Sequence, residues 1–459
     1  MPAISPPTAN NVEVLFYLTA FGSLFLAAII WFGIFGKRRA GEAGFYLAGR
    51  ALGPVAATAT LGATAIGGTS TVLVVGLVYN YGLAAIWMEL AGAAGLLLLG
   101  LLLAGRVRRL GLFSLPQIAG HFYGEAIRSI AAALVLASQI GWLALLLRAC
   151  VTLLQPIFDL APMPLLLITG GAFIFYTSIG GQLAVARTDL LQLALMATGI
   201  LLVAAPLLAA SANWEALPAG RLDFPTAPGY GPGVIAALAL AYGLPHLVGS
   251  DIYSKLLSCR GQSTARQAAL GASALKIIFA AGAATIGLAA AATLPAGLRA
   301  DSVFPEVITA TLPSALAAVV LLALLAALMS SADSVLLTAA TVLGRDLLKL
   351  PGASVGRVAT LIIGLAGIAV AGLFSTLLDL FVFAYSLFSA ALTIPILFGF
   401  WRARLGLTSS GAAAAMLGGA ATVVLCTLAG LPGQNGSLGG LAVSCLLLFG
   451  VSALARRQS

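Results

Sequence analysis

Long apolar runs separated by short polar joints make up nearly the whole chain. Thirteen such runs lie at approximately 13–35, 52–79, 82–105, 128–154, 162–179, 189–211, 232–254, 265–294, 314–348, 356–375, 379–400, 408–430 and 437–455. Each has about 18 residues or more, enough for a helix to cross roughly 30 Å of hydrocarbon. The pattern predicts an all-α polytopic membrane protein of about 13 transmembrane helices, with 1–459 as a single membrane domain. The joints test the count independently, because cytoplasmic loops concentrate Lys and Arg. Of the 23 basic residues, 19 fall on one side of the alternation: Lys37, Arg38, Arg39 and Arg50, then Arg106, Arg108, Arg109 and Arg128, then Arg187, then Lys255, Arg260 and Arg266, then Arg345, Lys349 and Arg357, then Arg402 and Arg404, and last Arg456 and Arg457. Only Arg221 and Arg299 sit in opposite joints, and Arg148 and Lys276 lie within runs. The expected topology has the N-terminus outside and the C-terminus in the cytoplasm, in the plasma membrane (for a bacterium, the inner membrane).

Composition agrees with this. Hydrophobic residues are 61% of the chain and charged residues 8%, and the mean hydropathy is +1.09. No soluble core needs that much apolar surface. The net charge of +9 is what the topology demands; with no basic stretch interleaved with aromatics, it gives no sign of nucleic-acid binding. The first run lacks a basic leader and a small-residue cleavage site and is read as a retained helix. Cys150, Cys259, Cys426 and Cys445 have neither metal nor redox spacing.

Two runs are interrupted. LGATAIGGTST (61–71) puts Gly62, Gly67 and Gly68 inside the second, and AYGLPHLVGSD (241–251) puts Gly243, Pro245 and Gly249 inside the seventh. Membrane backbone tolerates a break only where protein or a wet cavity satisfies it. Laid side by side, 52–211 and 232–400 place their interruptions at matching depths, which predicts a 5+5 inverted-repeat core with two discontinuous helices, an extra helix at 13–35 and two C-terminal helices at 408–455. In such cores the freed carbonyls and helix ends build a site at the midplane. Taken singly, each glycine could equally serve close helix packing.

The ninth run carries a polar stripe. Ala327, Ser330, Ser331, Ser334 and Thr338 fall on one helical face, and hard cations favour such oxygen donors. Ser330 and Ser331 with carbonyls freed at the first break would supply about five ligands for Na⁺; hydroxyls bonded back to their own helix are the plain alternative. Asp333 tips the balance toward a site, since an intramembrane carboxylate costs at least ~2.5 kcal/mol at the helix centre. Asp189 stands beside Arg187, where an interfacial position is equally natural.

FYLAGRALG (45–53), YTSIGGQLAVARTDLLQ (176–192), SDIYSKLLSCRGQSTARQAA (250–269) and SSADSVLLTAATVLGRDL (330–347) together resemble the sodium:solute symporter family, over roughly residues 45 to 420. The resemblance implies a main sodium site at Ala63, Ile66, Ala327, Ser330 and Ser331. It also implies a second site, for sodium or a proton, at Asp189, Asp333 and Ser334; Asp333 replaces a serine of some relatives and makes that site more anionic. Substrate would meet Thr64, Ser70, Glu89 and Ser250. Glu89 matches a Glu or Gln that touches substrate in relatives, though it could also sit at a helix interface. Lys276 matches a lysine of sugar-carrying relatives and would either pair with a carboxylate or snorkel to the surface. Arg148 does not align with the arginine that acidic-sugar carriers use; Trp142 does. His246, after Pro245, suits a cavity wall or a structural role alike.

The expected activity is secondary active, sodium-coupled symport of a small polar organic solute, such as an amino acid, a carboxylate metabolite or a sugar, by a chain that works as a monomer in the bilayer. A proton-coupled carrier of the same fold and a transporter-like solute sensor are the alternatives. An intramembrane enzyme is not expected: His121 and His246 have no metal-ligand spacing and no Ser/His pair is evident. No cofactor is expected beyond sodium as coupling ion.

Overall fold

The computed structural model describes residues 9–35, 42–158, 160–373, 377–431 and 433–458. Lys37, Arg38 and Arg39 lie outside the described residues. Within them there are helices and no strand, apart from isolated β-bridges between Leu52 and Cys259 and between Ala227 and Tyr230. The long helices, and the shorter ones that reach the site, are α1 (Ala9–Phe35), α2 (Pro54–Ile66), α3 (Gly68–Tyr81), α4 (Trp87–Leu98), α5 (Glu125–Phe158), α6 (Pro162–Met196), α7 (Leu244–Val248), α8 (Ser250–Ser258), α9 (Gln262–Thr293), α10 (Ser314–Thr341), α11 (Ala353–Leu373), α12 (Leu377–Phe388), α13 (Ser409–Leu428) and α14 (Gly433–Gln458).

Ten described helical stretches are long and apolar enough to cross a bilayer, or eleven when α2 and α3 count as one bent span. The difference from thirteen has two sources. Runs 162–179 and 189–211 follow each other without a loop in one stretch, Pro162–Ser211, in which Gly181 (φ 61, ψ −167) leaves the helix and kinks it into two segments, so Arg187 lies in the second segment where a loop was expected. The run at 379–400 gives the shorter apolar helix Phe383–Gly399.

α10 is the hub. It packs on α1, α5 and α6, and every side chain from Ala326 to Val342 is buried. That explains its composition: a helix enclosed on all sides can be apolar round most of its surface, and its hydroxyls and Asp333 face other protein groups and not lipid. α9 packs against α2, α3 and α4, α12 against α5, and α13 and α14 pair with each other. Where the two broken helices approach at one end of the molecule, the Leu52 N–H donates to the Ser258 carbonyl at 3.2 Å and the Arg260 N–H to the Leu52 carbonyl at 3.0 Å. Basic residues from separate joints also converge there: Arg345 pairs with Glu42 at 2.6 Å, Arg128 with Asp346 at 2.9 Å and Lys349 with Glu125 at 2.7 Å. Arg128, Arg345 and Lys349, from two separate joints, are thus neighbours in space.

Candidate functional site

The first break forms because Gly67 adopts φ 60, ψ 133, a conformation open to glycine, and ends α2 at Ile66. α3 restarts at Gly68, and the two segments are bent by 48°. Gly62, also expected in the interruption, stays helical; the break is at Gly67. The second break is at Gly249 (φ −51, ψ 132), between the five-residue α7 and α8, and a wide π-turn at Ala239–Gly243 precedes α7. Gly243 and Pro245 are therefore helical, and only Gly249 leaves the helix. Measured from residues 52 and 232, the two breaks fall 15 and 17 residues along, so they remain at matching depths.

At the first break the backbone groups that a helix end leaves over find mixed partners. The Gly67 N–H reaches the Ala63 carbonyl only at 3.5 Å. Ser70 Oγ donates to the carbonyls of Ile66 and Gly67, and Thr71 Oγ1 to that of Gly67 at 3.0 Å. Lys276 Nζ, reaching across from α9, donates to the Ala65 carbonyl at 2.7 Å. A Cβ on Gly68 would lie 2.8 Å from the Leu328 backbone nitrogen, so this glycine lets α3 lie directly on α10. Ser331 Oγ faces the same place: it is 3.6 Å from where a Cβ on Gly67 would be, it is buried, and it has no hydrogen-bond partner. A buried hydroxyl without a partner carries an unmet desolvation cost, and a cation between it and the carbonyls of Ala63 and Ile66 would remove that cost. Ala327, one turn earlier on α10, is fully buried.

Ser330 points elsewhere. Its hydroxyl donates to Asp189 Oδ1 at 2.6 Å. Asp189 Oδ2 accepts from Thr60 Oγ1 and lies 3.4 Å from Lys255 Nζ. Ser334 Oγ donates to the Ser330 carbonyl at 3.0 Å and sits 2.9 Å from Thr64 Oγ1. Asp333 is fully buried, accepts from Thr177 Oγ1 at 2.9 Å through Oδ1, and leaves Oδ2 without a partner. Asp189 and Ser334 thus share Ser330 as a partner, whereas among the described residues no hydrogen bond joins Asp333 to Asp189 or Ser334.

Beside the first break lies a cavity of about 90 Å³. Thr64, Gly67, Ser70 and Ser331 line it from the first break and α10; Tyr242, His246 and Asp251 line it from the second break; Gln139 and Trp142 from α5 and Tyr385 and Phe388 from α12 complete it. Tyr242 and Tyr385 stack with centroids 4.8 Å apart, Trp142 tilts onto Tyr385 at 5.2 Å, and His246 Nδ1 lies 2.9 Å from the Tyr242 carbonyl and 3.0 Å from the Tyr385 hydroxyl. Of the residues expected to touch substrate, Thr64 and Ser70 line this cavity. Glu89 does not: its carboxylate is held 2.5 Å from Lys276 Nζ. Ser250 is buried at the start of α8 with no partner for its hydroxyl, also outside the lining. Lys276 does not snorkel, since it is fully buried, and its ammonium also lies 5.8 Å from the Tyr242 ring centroid.

Lys255, taken as a loop charge, is instead buried in α8. Its placement six residues after Gly249, directly at the end of that apolar run, was the available signal. Asp251, a carboxylate inside the apolar run 232–254, carried the same signal as Asp333; Tyr242 and Tyr385 gave none, because each is an ordinary residue of a helix until the fold turns it inward. Cys259, on the turn between α8 and α9, is equally enclosed, and burial pushes its thiol up to about 12.

Two helices broken at matching depths around a buried cavity, in an all-helical bundle of apolar spans, define a secondary transporter rather than an enzyme. The family model for the sodium:solute symporter family matches residues 45–419, and the chain belongs to that family, whose coupling ion is sodium. It is 30% identical over 420 residues to a sodium/proline symporter of Haemophilus influenzae, covering 83% of this chain and 82% of that one. It is 28% identical over 407 residues to high-affinity choline transporter 1 of Drosophila melanogaster, covering 84% of this chain and 62% of that one. In fold it matches a Na⁺-coupled sialic acid symporter in a substrate-bound outward-open state, with a TM-score of 0.83 at 18% identity over 98% of each chain. A nucleobase-cation-symport-1 family transporter in a closed conformation matches with a TM-score of 0.61 at 15% identity, over 92% of this chain and 96% of that one.

Proposed function

We propose that the chain takes up a small polar solute bearing an amine, of the amino-acid class, together with Na⁺, by alternating access. The observation that carries the reading is the partnerless Ser331 hydroxyl aimed at the Gly67 break, on the wall of the same cavity that would receive solute. Na⁺ held there by Ala63, Ile66, Ala327 and Ser331 would fix the angle between α2 and α3, and with it the positions of Thr64 and Ser70. Ion binding then raises affinity for solute because it prepays the ordering of that wall. One Na⁺ entering down a 100 mV potential supplies about 2.3 kcal/mol.

The solute class follows from the lining. Among the described residues, three aromatic rings of Tyr and Trp, a phenyl ring and one carboxylate, Asp251, line the space, and no Lys or Arg does. Ring faces and a carboxylate favour a positive group over a negative one. Proline and choline, named for the relatives above, carry such groups, whereas a purely anionic metabolite would meet no counter-charge. The halves 52–211 and 232–400 act as inverted repeats in this scheme, in a monomer with its N-terminus outside. A proton-coupled variant has one observation in its favour, the partnerless Asp333 Oδ2.

Purified protein in liposomes tests the reading. Counterflow of labelled proline or another amine-bearing amino acid against trapped unlabelled solute, and net uptake driven by an inward Na⁺ gradient and not by a pH gradient of equal size, are the expected results. Uptake that follows the pH gradient alone would replace sodium by protons; binding without counterflow would make the chain a sensor.

A further inference from the structure

We infer that the ammonium of Lys255 occupies the place of a second coupling cation, so that this chain carries a single Na⁺ with each solute. The inference rests on the sodium-symport reading above and concerns only the ion count.

Asp189 sits on α6 with no exposure, and Lys255 on α8 is nearly as enclosed. Both carboxylate oxygens of Asp189 are engaged: Oδ1 accepts from Ser330 at 2.6 Å, and Oδ2 accepts from Thr60 and faces Lys255 Nζ at 3.4 Å. These groups come from four elements, α2, α6, α8 and α10, that converge beside the first break. A carboxylate ringed by hydroxyls at such a junction is the donor set a hard cation would use. Here the hydroxyls already donate to the carboxylate, and the charge that neutralises it is bonded to the protein. Adding Na⁺ would put two cations on one carboxylate in a site closed to water, where like charges repel strongly. Asp333 does not rescue a second site, because its Oδ1 accepts from Thr177 and its partnerless Oδ2 has no bond to Asp189, while Ser334 is bonded to Thr64 and the Ser330 carbonyl; Asp251, one turn before Lys255, lines the cavity instead.

A tethered cation differs from a bound one in a way that matters for transport. It moves with α8, directly after the Gly249 break, and cannot be left in the cytoplasm, so it draws nothing from the sodium gradient. It still neutralises Asp189 in every state in which α8 lies against α6. Lys255 is thus a positioning residue that sets stoichiometry by filling a cage.

The test counts ions. Equilibrium binding of ²²Na⁺ to the purified full chain should saturate at about one ion per chain with a Hill coefficient of about one. The flux ratio of Na⁺ to solute in proteoliposomes should match. Lys255→Met, which keeps the stem and removes the charge, should bring binding to about two ions per chain, while Lys255→Arg stays at about one. Two ions bound by the wild type, or a folded Lys255→Met that still binds one, would overturn the inference and leave symport standing. If Lys255→Met does not fold, the counts for the wild type and Lys255→Arg decide it by themselves: one supports, two overturns. No Na⁺ bound by the wild type would instead remove the symport reading itself.

Discussion

The two breaks use one device in different chemical surroundings. At Gly67 the backbone turns through a positive φ among hydroxyls and carbonyls: Ser70, Thr71, Ser331 and the end of α2. At Gly249 the turn is an ordinary extended residue, and the side chains around it are rings and charges: Tyr242, His246, Asp251 and Lys255. The first break offers neutral oxygens, which suit a small hard ion; the second offers ring faces and full charges, which suit an organic group or hold the scaffold together. A broken helix therefore does not specify its ligand. The helices packed against it do.

Lys276 links the two regions, since its ammonium touches Glu89, the Ala65 carbonyl and the Tyr242 ring. The largest expected effect comes from cutting that link. Glu89→Gln leaves a buried ammonium without its counter-charge, for a loss of roughly 3–5 kcal/mol, read as a fall in melting temperature in detergent. Adding Lys276→Met should recover most of it; failure to recover would mean that the pair contributes more than mutual neutralisation.

Next in size is the backbone comparison. Gly67→Ala forces a Cβ into the left-handed region at about 1–2 kcal/mol, and Na⁺-dependent thermal stabilisation should shrink with it. Gly249→Ala at φ −51 has no such strain; its Cβ would lie 2.9 Å from Ile252 Cδ1 and 3.2 Å from Asp251 Oδ1, so its cost is one of crowding, expected at about 0.5–1 kcal/mol and below that at Gly67. Equal effects at both positions would remove the distinction between the breaks.

Ser331→Ala should raise the Na⁺ concentration for half-maximal uptake roughly tenfold, about 1.4 kcal/mol, with a smaller change in solute half-saturation once Na⁺ is saturating. Tyr385→Phe should do the reverse. Losing the hydroxyl that meets His246 weakens solute binding by about 0.5–1.5 kcal/mol and leaves solute-free ²²Na⁺ binding unchanged. If the two variants affected both ligands alike, the ion and solute sites would not be separable.

Much of this was legible in the residues. The apolar runs, the charge alternation, the two interruptions at matching depth and the stripe Ala327, Ser330, Ser331, Ser334 and Thr338 all follow from periodicity and transfer energetics, which act locally along the chain. Partner choice was not legible. Ser330 and Ser331 are neighbours about 100° apart on the helix, and the sequence treats them as one ligand pair; the fold sends one hydroxyl to Asp189 on α6 and the other to the break. Lys255 read as a loop charge, and Lys276 as either a snorkelling charge or the partner of an unnamed carboxylate, because their carboxylates are 66 and 187 residues away, beyond any local pattern. Glu89 read as a substrate contact for the same reason.

What the sequence by itself determined is a chain that must live in a bilayer, span it many times and break two of its helices, because hydrocarbon forbids unpaired backbone and tolerates few charges. Only the tertiary structure decided which buried charges neutralise each other and which hydroxyl is left for an ion. Those outcomes depend on side chains a few ångströms apart on helices far apart in sequence, and no periodicity records that distance.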